Sequence, residues 1–346
     1  CLVVRGGLLA GVVSGIHQVG VMLLGLVAVI VALLVNNGGF TEAINQLSFI
    51  PAEGSEMAGP FVSFFGPNLP DLIGVIVLTS LGTWGLPQMV QKFYAIKSGP
   101  AVKQGAIIST VFAMVVAGGS YFLGGFGRLY ADHVEMTAAG TPVYDSIMPT
   151  MLSTLPDLLI GIVIVLVLSA SMSTLSSLVL TSSSTLTLDL IKGNIVKKMP
   201  EQMQLVYMRV LIAVFIIISA VIALVQYNSS ITFIAQLMSI SWGALAGAFL
   251  GPFFWGLYSK RLSRPAVWAS FIVGVGLTTG NMISGFFGAP LIASPINCGA
   301  IAMVLSLIIV PLVSLFTKPV PFEVDPPSVQ GAIDREYVQE LQTEAR

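Results

Sequence analysis

Six stretches of the chain contain no Asp, Glu, Lys or Arg: 6–41, 72–91, 104–127, 158–188, 210–259 and 265–317. The hydrocarbon core of a bilayer takes a helix of about 20 apolar residues. Each stretch therefore holds one span, and the longest two hold two. Dividing 210–259 at Gln226–Ser230 and 265–317 near Gly285–Pro295 predicts eight helices. They fall at about 10–34, 72–95, 104–126, 156–188, 206–225, 231–258, 265–284 and 297–317. Only 9% of the residues are charged, against about 25% in a soluble domain, and mean hydropathy is +0.92. Too little charge remains to cover a water-facing surface, so the partner solvent is the lipid bilayer. A net charge of −1 supplies no basic field for nucleic acid. Two cysteines and two histidines exclude a disulfide framework and leave little for histidine chemistry.

The connections alternate in sign. Lys92, Lys97 and Lys103 join the second and third predicted helices; Lys192, Lys197 and Lys198 join the fourth and fifth; Lys260, Arg261 and Arg264 join the sixth and seventh. The remaining connections carry Glu42, Glu53, Glu56 and Asp71, or Asp132, Glu135, Asp145 and Asp157, with Arg128 alone against them. Basic loops stay cytoplasmic, and Arg5 and Lys318 fit the same side. The expected topology has both ends of the chain in the cytoplasm of a cell whose plasma or inner membrane it crosses. Residues 1–317 read as the membrane domain. Residues 318–346, acidic and opening on KPVPFEVDPP, read as a solvated cytoplasmic tail with a short helix at 331–344.

The second predicted helix contains Thr79, Ser80, Gly82, Thr83, Gly85 and Pro87. Pro87 has no N–H, and its ring obstructs the carbonyl of Thr83. Broken helices in membranes present backbone groups to ions and solutes and must face protein or a watery cavity. A plain proline kink repaired by neighbouring hydroxyls is the other reading. The fourth predicted helix carries a run of Ser and Thr from Ser169 to Thr187. Ala170, Ser173, Thr174, Ser177, Thr181 and Ser184 share one face by helical spacing. Hydroxyls with a backbone carbonyl are hard, neutral ligands suited to a small alkali cation. Small-residue packing with back-bonded hydroxyls accounts for such a run equally.

The segments LGTWGLPQMVQKFYAIK, LSASMSTLSSLVLTSSSTLTLDLIK and GPFFWGLYSKRLSRPAVWASFIVG resemble the sodium/solute symporter family, which includes the sodium/proline and sodium/sugar cotransporters. The resemblance covers essentially 1–317. It implies an all-α integral membrane fold. The chain would supply the second five-helix inverted repeat of a LeuT-like core, one boundary helix before it and two trailing helices. The first repeat would lie elsewhere, so the chain is expected to be part of a longer polypeptide. The resemblance further implies a sodium site made by the carbonyl of Ala170 and the hydroxyls of Ser173 and Thr174. Substrate contacts would fall at Thr79, Thr83, Trp84 and Pro87. Gln236 and Ser239 are additional cavity candidates, with interhelical packing as the alternative.

Two positions depart from the family pattern. Thr83 stands where relatives often carry a gating Tyr. Gly15 stands where many have an Asp, in Val13-Ser-Gly-Ile-His-Gln18, and His17 is expected to be a neutral packing residue. The implied activity is symport of sodium with a small organic solute by alternating access, an amino acid such as proline being favoured over a monocarboxylate or a sugar. A transporter-like sensor would need a signalling domain, and the 29-residue tail is too short for one. An intramembrane serine hydrolase would need a base, which neither His17 nor His133 is placed to supply, so no enzyme activity is expected.

Overall fold

The computed structural model describes residues 2–52, 56–93, 96, 98–136, 143–229, 234–259 and 261–319, the side chains of 2–18, 91–93, 228 and 229 excepted. Its α-helices are α1 (Leu2–Asn36), α2 (Phe40–Ser48), α3 (Leu69–Gly85), α4 (Pro87–Phe93), α5 (Gly99–Gly125), α6 (Ile147–Leu152), α7 (Asp157–Ser184), α8 (Glu201–Ser229), α9 (Ile234–Tyr258), α10 (Arg264–Phe286) and α11 (Pro295–Phe316). Among the described residues, seven helical runs are long and apolar enough to cross a membrane. The chain is thus a multi-pass membrane protein. The eighth expected span, 72–95, is realised as the 17-residue α3, a single non-helical residue at Leu86, and α4. The helix expected to stop at 188 instead runs on to Ile195 in π geometry. The Val196 N–H closes that run on the carbonyl of Ile191, five residues back. Beyond residue 319 the tail and its expected helix at 331–344 lie outside the described residues, as do Glu53, Lys97, Lys260 and the side chains of His17 and Lys92.

The described helices belong to two compact units. The first comprises Cys1–Leu72 and Ile108–Leu237. Within it α7 packs along α1 and α8. Its core runs from Leu26, Val29 and Leu33 of α1 through Ala43 and Leu47 of α2 to Leu123, Phe126, Met151, Leu155 and Val163. The short helices α2 and α6 and the 3-10 turn Phe126–His133 thus cap one end of the α1–α7 pair. Polar bonds tie the cap down: Asn36 Nδ2 donates to the Thr154 carbonyl at 3.1 Å, and Asn37 Nδ2 to Tyr130 Oη at 3.0 Å. The expected spans 104–126 and 156–188 left 127–155 as a connection with no helix of its own, and gave none to α2 either. The apolar residues of these short helices are too few per helix to show against the spans on either side.

The second unit comprises Ile73–Ile107 and Met238–Arg346. Here α3 buries Gly74, Leu78, Gly82 and Gly85, a stripe at helical spacing. Leu78 joins Ala246, Leu250 and Met303 in a closed core. The helices approach so closely that a Cβ on Gly82 would stand 2.8 Å from the Trp242 ring, and one on Gly85 would stand 2.7 Å from Ala246 Cβ. Small residues are what allow such contact in a membrane, where apolar surface alone does not drive association.

A proline inside α9 sets up a second local problem. Pro252 cannot donate to the Ala248 carbonyl. Two buried serines from neighbouring helices close the gap. Gly251 N–H donates to Ser306 Oγ at 2.8 Å, Ser306 Oγ lies 2.8 Å from Ser270 Oγ, and Ser270 Oγ donates to the Ala248 carbonyl at 3.0 Å. Each hydroxyl has one proton. With Ser270 donating to the carbonyl, Ser306 donates to Ser270. The result is a hydroxyl relay from the Gly251 N–H to the carbonyl that Pro252 strands, and α9 stays continuous.

Candidate functional site

The hydroxyl helix α7 begins with Asp157 in its first turn, and the π run that extends it carries Lys192 in its last. Both charges complement the helix dipole, acid at the positive end and base at the negative. Along the run the serines and threonines divide into two groups. The hydroxyls of Ser176, Ser183 and Ser184 donate to carbonyls three residues back, at 3.0, 3.0 and 2.9 Å. Those groups are spent on their own helix. Among the described residues, the hydroxyls of Ser173 and Thr174 make no hydrogen bond, and both residues are exposed in the first unit. Ala170, one turn earlier, is half-buried. Three oxygen donors of neutral charge therefore sit on adjacent turns of one helix, two of them uncommitted. These are the three neutral oxygen donors that the family resemblance implies for sodium.

On the broken helix the outcome is mixed. Thr79 and Thr83 are both half-buried, and their hydroxyls are already engaged. Thr79 Oγ1 donates to the Val75 carbonyl at 2.7 Å, and Thr83 Oγ1 to that of Ser80 at 3.0 Å. Either threonine would have to give up that bond, or present its methyl, to meet a solute. Trp84 is 58% exposed and free to form a wall of a pocket. Pro87 opens α4, where the N–H groups of Met89 and Val90 turn to the Leu86 carbonyl at 2.9 and 3.4 Å. Among the described residues no side chain donates to the Thr83 carbonyl that Pro87 strands. The sequence reading passed over Ser80 as a contact. Ser80 is exposed, its hydroxyl is unspent, and it lies four residues before Trp84 on the same exposed face. That spacing was the available signal.

Thr79, Thr83, Trp84 and Pro87 belong to the second unit, whereas Ala170, Ser173, Thr174 and Gln236 belong to the first. Gln236 is half-buried in the first turn of α9, and Ser239 is fully buried. Ser239 thus belongs to the packing of α9 rather than to an open surface.

The model of the sodium:solute symporter family matches residues 1–274. The chain belongs to that family. It is 25% identical over 276 residues to a sodium/pantothenate symporter of Haemophilus influenzae, covering 78% of this chain and 54% of that protein. It is 26% identical over 272 residues to the sodium/proline symporter of Escherichia coli, covering 78% and 52%. It is 27% identical over 283 residues to sodium/glucose cotransporter 1 of Sus scrofa, covering 73% and 42%. The chain spans about half the length of the curated relatives it matches, and it corresponds to their C-terminal part.

Proposed function

We propose that this chain forms part of a sodium-coupled symporter for a small organic solute, working by alternating access in the cell membrane with both ends of the chain cytoplasmic. Sodium would be held by the Ala170 carbonyl and the Ser173 and Thr174 hydroxyls. The solute would meet Trp84, Thr79, Thr83 and the backbone opened at Pro87. One observation supports the reading beyond family membership: Ser173 and Thr174 are exposed with their hydroxyls uncommitted, as those of Ser169, Ser171, Ser177 and Ser182 also are, while Ser176, Ser183 and Ser184 spend theirs on their own helix.

Coupling requires that sodium bind the solute-competent state better than the alternative state, and the solute then favours sodium by the same factor. Each sodium carried inward gains about 2.3 kcal/mol per 100 mV of membrane potential. The stretches 72–91 and 158–188, which hold these site residues, carry no charged side chain. Recognition therefore rests on hydroxyls, helix ends and an aromatic wall, which suits a zwitterionic amino acid such as proline. A monocarboxylate is the second reading, favoured by the similarity to sodium/pantothenate symporters.

The test is uptake into proteoliposomes by the complete natural polypeptide, with labelled proline, pantothenate and a hexose. Accumulation of one solute under an inward sodium gradient, absent when potassium replaces sodium, supports the proposal and names the solute class. Uptake indifferent to sodium overturns it.

A further inference from the structure

Residues 59–66, between α2 and α3 in the first unit, form a compact loop bracketed by two glycines with left-handed backbones, Gly59 at φ 62° and Gly66 at φ 65°. Its own bonds hold it: Val62 N–H to the Gly59 carbonyl at 3.1 Å, Gly66 N–H to Ser63 at 3.3 Å, and Ser63 Oγ to Pro60 at 2.9 Å. The Arg128 guanidinium lies over the Phe61 ring, 4.7 Å from its centroid, and pins the loop from the side. The tip of this fixed loop is Phe64 and Phe65, packed edge to face at 5.0 Å and 90% and 58% exposed. Two adjacent phenylalanines held outward by an ordered backbone are not a fraying accident.

Two membrane helices fix where that tip stands. Phe65 is four residues before the start of α3, a reach of at most about 14 Å. Arg128 is three residues past the end of α5. The loop is thus tethered to the ends of two apolar helices where they leave the hydrocarbon, the level at which exposed apolar side chains such as Phe and Leu bury into the headgroup–acyl boundary. We propose that Phe64 and Phe65 insert into the headgroup–acyl boundary of that leaflet and anchor the loop to the lipid surface. The partner is the bilayer itself, met through apolar contact rather than through a specific headgroup.

The experiment places a nitroxide at Phe64→Cys, and separately at Phe65→Cys, in the complete polypeptide without its native cysteines, reconstituted in phosphatidylcholine vesicles. Power saturation is compared between oxygen, which concentrates in lipid, and a water-soluble nickel chelate, with Asp132→Cys as the aqueous reference. The proposal expects strong relaxation by oxygen and weak relaxation by nickel at both phenylalanine sites, opposite to the reference. Nickel access equal to that of the reference places the tip in water and overturns it. Protection from both reagents places the tip against protein, either the rest of the polypeptide or a second copy, and overturns it equally. Phe64 touches little in the fold, so its substitution leaves folding intact. Agreement at Phe65 guards against a local effect of the label.

Discussion

Two glycine–proline sites in the second unit meet the same chemical problem and end differently. At Gly251-Pro252 the helix remains continuous, because Ser306 and Ser270 carry the lost hydrogen bond around the proline. At Gly85-Leu86-Pro87 no side chain donates to the stranded carbonyl among the described residues, and the helix is interrupted at Leu86. Pro311 inside α11 is also accommodated, because Trp255 Nε1 donates to the Leu307 carbonyl at 2.8 Å, so in these helices the backbone opens where no neighbouring side chain donates to the stranded carbonyl. The repaired site is structural. The unrepaired one lies beside Trp84 and leaves backbone groups open, which is why the solute is proposed to bind there.

The comparison can be broken in several ways, starting with the largest expected effect. A methyl at Gly85→Ala would stand 2.7 Å from Ala246 Cβ and 2.8 Å from its Cα, forcing α3 off α9. Overpacking of this kind costs about 1–3 kcal/mol, and thermal unfolding in detergent should show a lowered midpoint together with lost uptake. Ser306→Ala should come next. It strands the Gly251 N–H and takes away the donor to Ser270, and an unsatisfied buried group costs about 1–3 kcal/mol. Adding Ser270→Ala should lower the midpoint by less than the sum of the single changes, since both serve one relay. Full additivity would mean that the two serines act separately.

The two prolines give the sharpest contrast. Pro87→Ala returns an N–H to the Thr83 carbonyl and should leave stability equal or higher while impairing solute uptake. Pro252→Ala should leave uptake near that of the parent, because its ladder is already closed. Equal transport defects in both would erase the distinction. Trp84→Ala is expected to affect folding less than Gly85→Ala or Ser306→Ala, since the ring is largely exposed. It should weaken half-saturation by solute more than by sodium, measured in the same uptake assay.

Much of the fold was legible because charge exclusion is a harsh rule: the six uncharged stretches located every long span. The break at Pro87 was equally readable, since a proline's missing N–H is a property of one residue. Elsewhere the governing partners are far apart in sequence. Nothing local announces that Ser270 and Ser306 serve Pro252, which lies 18 residues from one and 54 from the other. The division of the α7 hydroxyls was hidden for a different reason. Ser173 and Ser176 are chemically identical, and only the side-chain rotamer decides that Ser176 returns its proton to a carbonyl. Thr79 and Thr83, equal candidates on sequence, were committed in the same way.

The central claim is that uncommitted hydroxyls on α7, rather than hydroxyls in general, hold the coupling ion. It is tested most directly by the sodium dependence of solute uptake in two double variants of the complete polypeptide. Ser173→Ala with Thr174→Ala removes the uncommitted pair, and Ser183→Ala with Ser184→Ala removes a back-bonded pair. The account predicts that the first raises the half-saturating sodium concentration by roughly tenfold or more, the equivalent of about 1.4 kcal/mol, with the unfolding midpoint unchanged. The second should leave sodium dependence as in the parent. An unchanged sodium requirement in the first variant, or equal shifts in both, would contradict the account.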